Sequence, residues 1–301
     1  MTDESRFTSL EDRVMDRVET GRGFEMQVRL DGVSSRIRVD DYRGSVEGMI
    51  ERLEELAQQF SYTKTIVRVR AEHVDRFLSR GYEIEGVYRA YYNGSDAYAM
   101  TRYHSVERRN SDLWLKEDHI LRHVLTLPES AEDRGFPPNY SLRRATKEDV
   151  EQLAALYAAT FPVYPTPVSQ PAYLAKLMKD GVIIHAVETD GQIVSAAAAH
   201  VNQALHHAEI ADCATDAEHQ KKGLMKHLIL CLEKELFQQR IYCVFSHARS
   251  LSFGMNAVFH QLGYTYGGRL TRNCIIYDKY EDMSLWIKDL SDRKNTMTCL
   301  G

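Results

Sequence analysis

Several features that mark other protein classes are missing or weak in this sequence of 301 residues. No apolar run approaches the roughly 20 residues of a membrane span. The opening residues MTDESRFTSLEDR contain no apolar signal-peptide region, so we expect no membrane partner and a cytoplasmic location. Basic residues are outnumbered, with a net charge of -5, which argues against a nucleic-acid-binding protein.

Cysteine is also scarce, and its spacing follows no metal-binding or disulfide pattern. The odd number of cysteines and the lack of a CxxC pair are typical of reduced thiols. Three histidines also lack the carboxylate or cysteine spacing that completes a zinc site, so we predict no metal and hydrogen-bonded or surface histidines. The residues concerned are Cys213, Cys231, Cys243, Cys274 and Cys299, with His206, His207 and His247.

The composition is that of a globular protein, with 44% hydrophobic residues. The chain is also longer than a single domain usually is. The segment Glu129–Asn139 breaks every periodic pattern, and its Pro137 and Pro138 cannot continue a helix. We therefore predict two domains, over residues 1–135 and 140–290.

The second half shows a regular alternation of elements. Ser141–Arg144 predicts a strand, and Thr146 with Asp149 forms a capping box that begins a helix. Asp190-Gly191 predicts a tight turn between two strands. A third strand leads to Gly223, after which leucines recur every fourth residue on a helix. With a further strand, helix and closing strands, the order predicts an α/β domain in which helices cover a mostly antiparallel mixed sheet.

Part of the first half repeats this order. A helix containing Met49 and Phe60 precedes a strand at Thr65–Val69, a helix stopped by Gly81-Tyr82, and a hairpin around Asn93-Gly94. The segment FLSRGY also echoes FHQLGY in the second half. We interpret the first domain as a degenerate copy of the second that lacks its phosphate-binding turn.

The run EHQKKGLM, residues 218–225, carries the most chemical information. It lies between a strand and an amphipathic helix, where free backbone N–H groups and the positive end of the helix dipole attract phosphate. Gly223 allows close approach of the chain, Lys221 and Lys222 add positive charge, and Gln220 can order the turn. Taken alone, the run could equally be a solvated turn.

In its context the run resembles the Q/R-x-x-G-x-G/A signature of the GCN5-related N-acetyltransferase (GNAT) superfamily, although Met225 replaces the last small residue. The resemblance implies an N-acetyltransferase with acetyl-CoA as co-substrate and a GNAT fold in the second half. It further implies a set of cofactor-binding residues along the third strand, the turn and the two helices. These are Cys213, Ala214, Thr215, Gln220, Lys221, Lys222, Gly223, Leu224, Met225, Asn256 and Phe259.

Two carboxylates are candidates for the general base that removes the acceptor's proton. Glu209 lies eleven residues before Gln220, a spacing at which histone acetyltransferases of the superfamily carry this base. Strand alternation puts Asp212 on the opposite sheet face, unless the bulge characteristic of this superfamily brings it to the cleft. Both remain candidates, and an exposed or ion-paired carboxylate is the structural alternative for each.

The general acid is less clearly marked. The superfamily commonly places a tyrosine four residues before the glycine of the G-Y/F pair, where it protonates the leaving thiolate, and this sequence has Phe259 there. Tyr264, Ser252 or water are the alternatives, and we take Tyr264 as the catalytic candidate.

The second half resembles in particular the β-lysine N6-acetyltransferases, which make the compatible solute N6-acetyl-β-lysine used in osmoadaptation. FPVYPTPV, AEIADCAT, HQKKGLM, SFGMNAVFHQLGY and GGRLTRNC carry this resemblance. It implies β-lysine as the small-molecule amine partner. Arg269 or Arg272 would bind its carboxylate, and Glu209 and Asp212 would receive its cationic chain. Tyr164 and Asn273 would supply hydrogen bonds.

Two other functions stay open. A protein-lysine or polyamine acetyltransferase should have an open, acidic acceptor groove. A non-catalytic acyl-CoA-binding regulator would fit Phe259 and the degenerate first half. For the first domain itself, homodimer formation or a lid over the site is the expected role.

Overall fold

The computed structural model describes residues 14–129 and 135–292. Within them, thirteen strands form one continuous sheet. The strands are β1 (Val14–Gly21), β2 (Phe24–Asp31), β3 (Arg36–Gly44), β4 (Lys64–Arg70), β5 (Glu83–Tyr92), β6 (Ser95–Tyr103), β7 (Ser141–Arg144), β8 (Ile183–Thr189), β9 (Gln192–Asn202), β10 (His207–Thr215), β11 (Cys243–Arg249), β12 (Thr265–Ile276) and β13 (Lys279–Asp289). The helices are α1 (Val46–Gln59), α2 (Val74–Leu78), α3 (Val106–Arg109), α4 (Trp114–Leu125), α5 (Val150–Thr160), α6 (Pro171–Lys179), α7 (Leu224–Gln238) and α8 (Phe253–Gln261).

The prediction of a mixed sheet flanked by helices is confirmed. The strand order is β1-β2-β3-β4-β6-β5-β12-β13-β11-β10-β9-β8-β7. Among these neighbours β3 with β4 and β10 with β11 are parallel, and the other pairs are antiparallel. In the described ranges, no helix combines the length and apolar character that a membrane crossing needs. Cys299 and residues 130–134 of the predicted linker lie outside the described residues.

The helices of the second half form where the sequence predicts them. The capping box of Thr146 and Asp149 is present, and it begins the turn that leads into α5. Helix α7 buries Leu228, Leu232 and Leu236 completely against the sheet, as the four-residue leucine spacing predicts. This packing fixes the first turn of α7 beside the end of β10.

The first half has the same order of strands and helices around its parallel pair. Helix α1 connects β3 to β4 as α7 connects β10 to β11, and α2 and α8 follow in the same places. Gly81 and Gly263 end α2 and α8 with φ of 77° and 81°. The following Tyr82 and Tyr264 each meet a phenylalanine edge-on at 5.0 Å between ring centres. The shared topology supports our interpretation of the first half as a degenerate copy.

The predicted linker does not interrupt the sheet, because the two halves meet strand to strand. Strand β5 of the first half pairs with β12 of the second at Gly86 and Gly268. A Cβ atom at Gly268 would lie 2.5 Å from the Cα atom of Gly86, so only glycine permits this approach. Around the junction, Tyr88, Phe245 and other buried side chains of both halves form one hydrophobic cluster.

Candidate active site

One large cavity lies where the two halves face each other. Its volume is about 1040 Å³, at the upper end of what small-molecule sites usually occupy. The first half lines it with strands β1 to β5. The second half lines it with strands β9 to β13, the segment after α5, the beginning of α7 and much of α8. The turn before α7 is part of this lining, and the strands of the first half complete the wall.

The turn before α7 has a backbone suited to phosphate. Lys221 and Gly223 both adopt positive φ, at 62° and 80°, and Gly223 is the N-cap of α7. No described atom beyond its chain neighbours lies within 4 Å of the position that a Cβ of Gly223 would take. An anion can therefore approach the first N–H groups of α7 and the positive end of its dipole. Lys222 donates to the Tyr140 hydroxyl at 2.8 Å, which orders the basic side of the turn.

A β-bulge shapes the middle of the cavity. The register of β10 against β9 shifts between Ala211 and Ala214, and Asp212 takes a φ of 51°. The bulge brings Asp212 and Cys213 to the cavity lining together with Glu209. Both candidate carboxylates therefore line the same space, as the bulge alternative in the sequence predicts.

Glu209 belongs to a chain of three hydrogen-bonded side chains. Its Oε1 lies 2.7 Å from Nδ1 of His247, and Nε2 of His247 lies 2.8 Å from the hydroxyl of Tyr88. Burial opposes ionisation of Glu209, but His247, Arg38 and Arg68 hold the pKa of this carboxyl well below its usual range. An ionised carboxylate only accepts hydrogen bonds, so Nδ1 of His247 donates to Glu209.

Asp212 forms a second carboxylate–imidazole pair. Its Oδ2 lies 2.8 Å from Nε2 of His200 on β9. Burial would lower the pKa of His200, but the hydrogen bond and charge of Asp212 outweigh it and raise that pKa above its ordinary value. The side chain of Asp212 is 6% exposed and that of Glu209 is 24% exposed. Glu209 is thus the carboxylate more accessible to an incoming amine.

Two other cavity groups remain uncharged. Burial, with a smaller contribution from Asp212, raises the pKa of the Cys213 thiol well above its usual range. A protonated thiol is a poor nucleophile, so the site favours direct transfer over an acyl-cysteine intermediate. Burial and Asp212 likewise raise the pKa of Tyr164, whose ring stacks on Phe161 at 4.7 Å.

Most of the predicted site residues line the cavity. Among the acceptor candidates, Asn273 is held from the first half, because its carbonyl oxygen accepts from Arg36 at 3.1 Å and Arg108 at 3.2 Å. Its buried Oδ1 has no hydrogen-bond partner among the described residues. The predicted residues in the lining are Tyr164, Glu209, Asp212, Cys213, Thr215, Gln220, Lys221, Lys222, Gly223, Leu224, Met225, Phe259 and Asn273.

Arg269 is not part of the cavity lining, contrary to the prediction that it binds the substrate carboxylate. Its guanidinium pairs with Glu117 at 3.2 Å and Asp118 at 2.9 Å, both on α4. Helix α4 packs beside α8, and no sequence signal in the second half indicated this neighbour. The alternative, Arg272, is also outside the lining, and its N–H donates to Asp282.

Three further predicted residues support the site from outside the cavity. The side-chain amide of Asn256 donates to the Arg249 carbonyl at 2.9 Å, and its oxygen accepts from Trp286 at 2.8 Å. These bonds anchor the beginning of α8. Ala214 is buried in the core cluster formed with α5 and α6. Tyr264 is 2% exposed and its ring lies 5.5 Å from the Lys288 ammonium, so its hydroxyl points into the core rather than toward a thioester. Of the alternative acids, Ser252 does line the cavity.

The residues that complete the site were not predicted from the sequence. His247 was interpreted as an ordinary histidine, and neither His200 nor Tyr88 was predicted as a site residue. The parallel register places His247 two residues past Phe245, which lies opposite Glu209, so the strand pairing itself is the signal that could have found it. In the described residues no group of three His, Cys, Asp or Glu side chains has a metal-binding arrangement.

Comparison with known proteins gives matches along most of the chain. The model of the acetyltransferase (GNAT) family matches residues 150–264. The chain is 38% identical over 262 residues to N-acetyltransferase YodP of Bacillus subtilis, which covers 86% of this chain and 94% of that protein. It is 33% identical over 270 residues to the beta-lysine N(6)-acetyltransferase of Methanosarcina mazei, covering 83% of this chain and all of that protein. The protein of the same name from Methanococcus maripaludis is 28% identical over 261 residues, 87% of this chain and 95% of its own.

Proposed function

The chain belongs to the acetyltransferase (GNAT) family and uses acetyl-CoA as its co-substrate, and we propose that it acetylates the N6 amine of β-lysine. The product would be the compatible solute N6-acetyl-β-lysine, made in the cytoplasm. Two relatives that bear the name beta-lysine N(6)-acetyltransferase match across both halves of the chain. That extent supports a shared acceptor site, because the first half forms part of the cavity wall.

The observation that carries this proposal is the mixed charge of the cavity. Glu209 and Asp212 line it from the second half, and arginines of β2, β3 and β4 line it from the first. A substrate with both an amine and a carboxylate can satisfy both sets. A polyamine has no carboxylate for the arginines, and the cavity is not the open, acidic groove expected for a protein-lysine or polyamine acetyltransferase.

The arrangement supports a direct transfer. The pyrophosphate of acetyl-CoA binds at the turn that contains Gly223. Glu209 holds the acceptor ammonium and accepts its proton, and Nδ1–H of His247 donates to the same carboxylate. The freed amine then attacks the thioester carbonyl, the C–S bond breaks, and the CoA thiolate leaves. Ser252 or water protonates the thiolate, since Phe259 occupies the usual tyrosine position.

Acetyl-CoA turnover should be measured against β-lysine, α-lysine, spermidine and a lysine peptide, by following release of the CoA thiol. We expect the highest kcat/KM for β-lysine, with the product acetylated at N6 by NMR. A higher kcat/KM for spermidine or the peptide would contradict the proposal and favour the polyamine or protein-lysine alternative. CoA binding without turnover of any amine would favour the non-catalytic regulator.

A further inference from the structure

The two halves of the sheet repeat the same pairing around their parallel strands. In the second half, the pairing of β10 with β11 begins with His207 opposite Cys243. In the first half, the pairing of β3 with β4 begins with Arg36 opposite Lys64. Each parallel pairing runs for four residue pairs, and a bulge then shifts the register of β10 and of β3 against their antiparallel neighbours. Positions in one half can therefore be matched to positions in the other by counting along the strands.

This count puts arginines in the first half where the second half has a carboxylate and an imidazole. Glu209 lies two residues after His207 on β10, and Arg38 lies two residues after Arg36 on β3. His247 lies four residues after Cys243 on β11, and Arg68 lies four residues after Lys64 on β4. All four side chains line the same cavity. At these matching positions the first half thus presents to the cavity one arginine in place of the carboxylate and another in place of the imidazole.

The next strand outward continues the match. His200 on β9 lies opposite Glu209, and Arg29 on β2 lies opposite Arg38. The charge of Arg29 acts on His200, and the charges of Arg38 and Arg68 act on Glu209. The two sets are therefore close enough to serve opposite ends of one small substrate.

The charges of the first half are arranged to receive a carboxylate and an ammonium together. Asp40 binds two arginines, Arg38 at 2.9 Å and Arg68 at 2.6 Å, so one positive charge exceeds the local negative charge. Arg68 is buried, with its guanidinium 5.0 Å from the ring centre of Tyr88. The side chains of Arg38 and Asp40 are 19% and 28% exposed, and both line the cavity. Nε and Nη2 of Arg38 donate to Asp40, and Nη1 carries two further N–H groups that can donate to a substrate.

We propose that the first half is the acceptor-recognition site of the enzyme. Arg38 and Arg29 bind the substrate carboxylate, and Arg29 does so through Nη1, because its Nε and Nη2 donate to Asp16. Asp40 binds the ammonium next to that carboxylate, and Arg68 positions Asp40. The N6 amine then reaches Glu209 on the opposite wall. This inference rests on the proposed function, since it assigns the ends of a β-lysine molecule to particular residues.

Comparing three acetyl-acceptor substrates tests the carboxylate contact and the ammonium contact separately. Pentane-1,4-diamine is β-lysine without its carboxylate, and 6-aminohexanoate is β-lysine without its 3-amine. We expect the wild-type enzyme to prefer β-lysine over pentane-1,4-diamine by about 30-fold or more in kcat/KM, because losing a charge pair of this kind costs about 2 kcal/mol or more. In Arg38→Gln the preference should fall to about tenfold or less, and Arg29→Gln serves as a second, independent variant.

Asp40→Asn tests the other contact. It should lower kcat/KM for β-lysine much more than for 6-aminohexanoate, which has no 3-ammonium to bind. Arg43→Gln is the matched control, because Arg43 lies on the same strand with its side chain 78% exposed and outside the cavity lining. It should keep the wild-type preferences. Circular dichroism and CoA binding establish that each variant is folded.

The outcomes separate this inference from the proposed function. A preference for β-lysine over pentane-1,4-diamine that persists in both arginine variants overturns the inference while the proposed function stands. Equal use of β-lysine and pentane-1,4-diamine by the wild type overturns it as well. If the wild type instead prefers another amine that carries a carboxylate, the proposed substrate is wrong, and loss of that preference in Arg38→Gln still supports the recognition site.

Discussion

Gly223 permits a quantitative test of the phosphate site. In Gly223→Val, a β-branched residue must adopt a φ of 80°, which costs roughly 1 to 2 kcal/mol of folding free energy. The side chain also projects into the open space in front of the first N–H groups of α7. Blocking one charge-assisted hydrogen bond to phosphate costs about 1.5 kcal/mol or more. We therefore expect CoA affinity to fall at least about tenfold.

Gly191 offers a matched control for the backbone cost. It lies in the tight turn between β8 and β9 with a φ of 73°, and its Cβ position is equally free of described atoms within 4 Å. It is exposed and outside the cavity lining. Gly191→Val should lose a similar free energy of unfolding and bind CoA like the wild type.

The assay is calorimetric titration of CoA together with unfolding at fixed ligand. At a CoA concentration of 100 times the wild-type Kd, bound ligand stabilises the wild type and Gly191→Val by about 2.7 kcal/mol. A tenfold weaker Kd reduces this gain to about 1.4 kcal/mol in Gly223→Val. If a folded Gly223→Val binds CoA as tightly as Gly191→Val does, the pyrophosphate binds elsewhere and the assignment of this turn is wrong.

Two further predictions concern titrating groups. Glu209→Gln should lower kcat by about a hundredfold or more at pH 7 with unchanged CoA affinity, and the loss should shrink toward the amine's ordinary pKa of about 10.4. If Asp212→Asn gives this pH-dependent loss and Glu209→Gln changes only KM, the roles of the two carboxylates are exchanged. Burial lowers the pKa of His207 to about 4, so between pH 6.5 and 4 the unfolded chain binds a proton that the folded chain does not. The free energy of unfolding should therefore decrease as the pH is lowered through that window, by about 2 kcal/mol at pH 5. In urea unfolding at several pH values, His207→Gln should lack this part of the pH dependence. The same pH dependence in the variant and the wild type would contradict the prediction.

The second half was predictable because its elements have local signals. The capping box, the Asp190-Gly191 turn and the leucine spacing of α7 each depend on neighbours in sequence. Glycine is unfavourable in strands, so Gly267 and Gly268 carry no local signal that a strand passes through them. The structure extends β12 through both glycines, since contact with β5 requires them.

The first three strands were not predicted, because they too lack a clear local signal. Strands β1 and β3 contain the runs VMDRVETG and RIRVDDYRG, in which charged residues hide the usual apolar alternation. In β3 three of those charged residues, Arg36, Arg38 and Asp40, face the cavity. A sequence motif records the phosphate turn, which is local, but contacts between the halves depend on strand pairing over more than a hundred residues. The site residues Arg38 and Tyr88 could be found only from that pairing.

The glycine contact between β5 and β12 has a thermodynamic consequence. Because the halves share one sheet and one hydrophobic cluster, separating them would expose two strand edges and the rings of Tyr88 and Phe245. We therefore expect the halves to unfold as one cooperative unit rather than as independent domains. A ligand that spans the cavity binds only the joined form, so its binding energy is also energy that holds the two halves together.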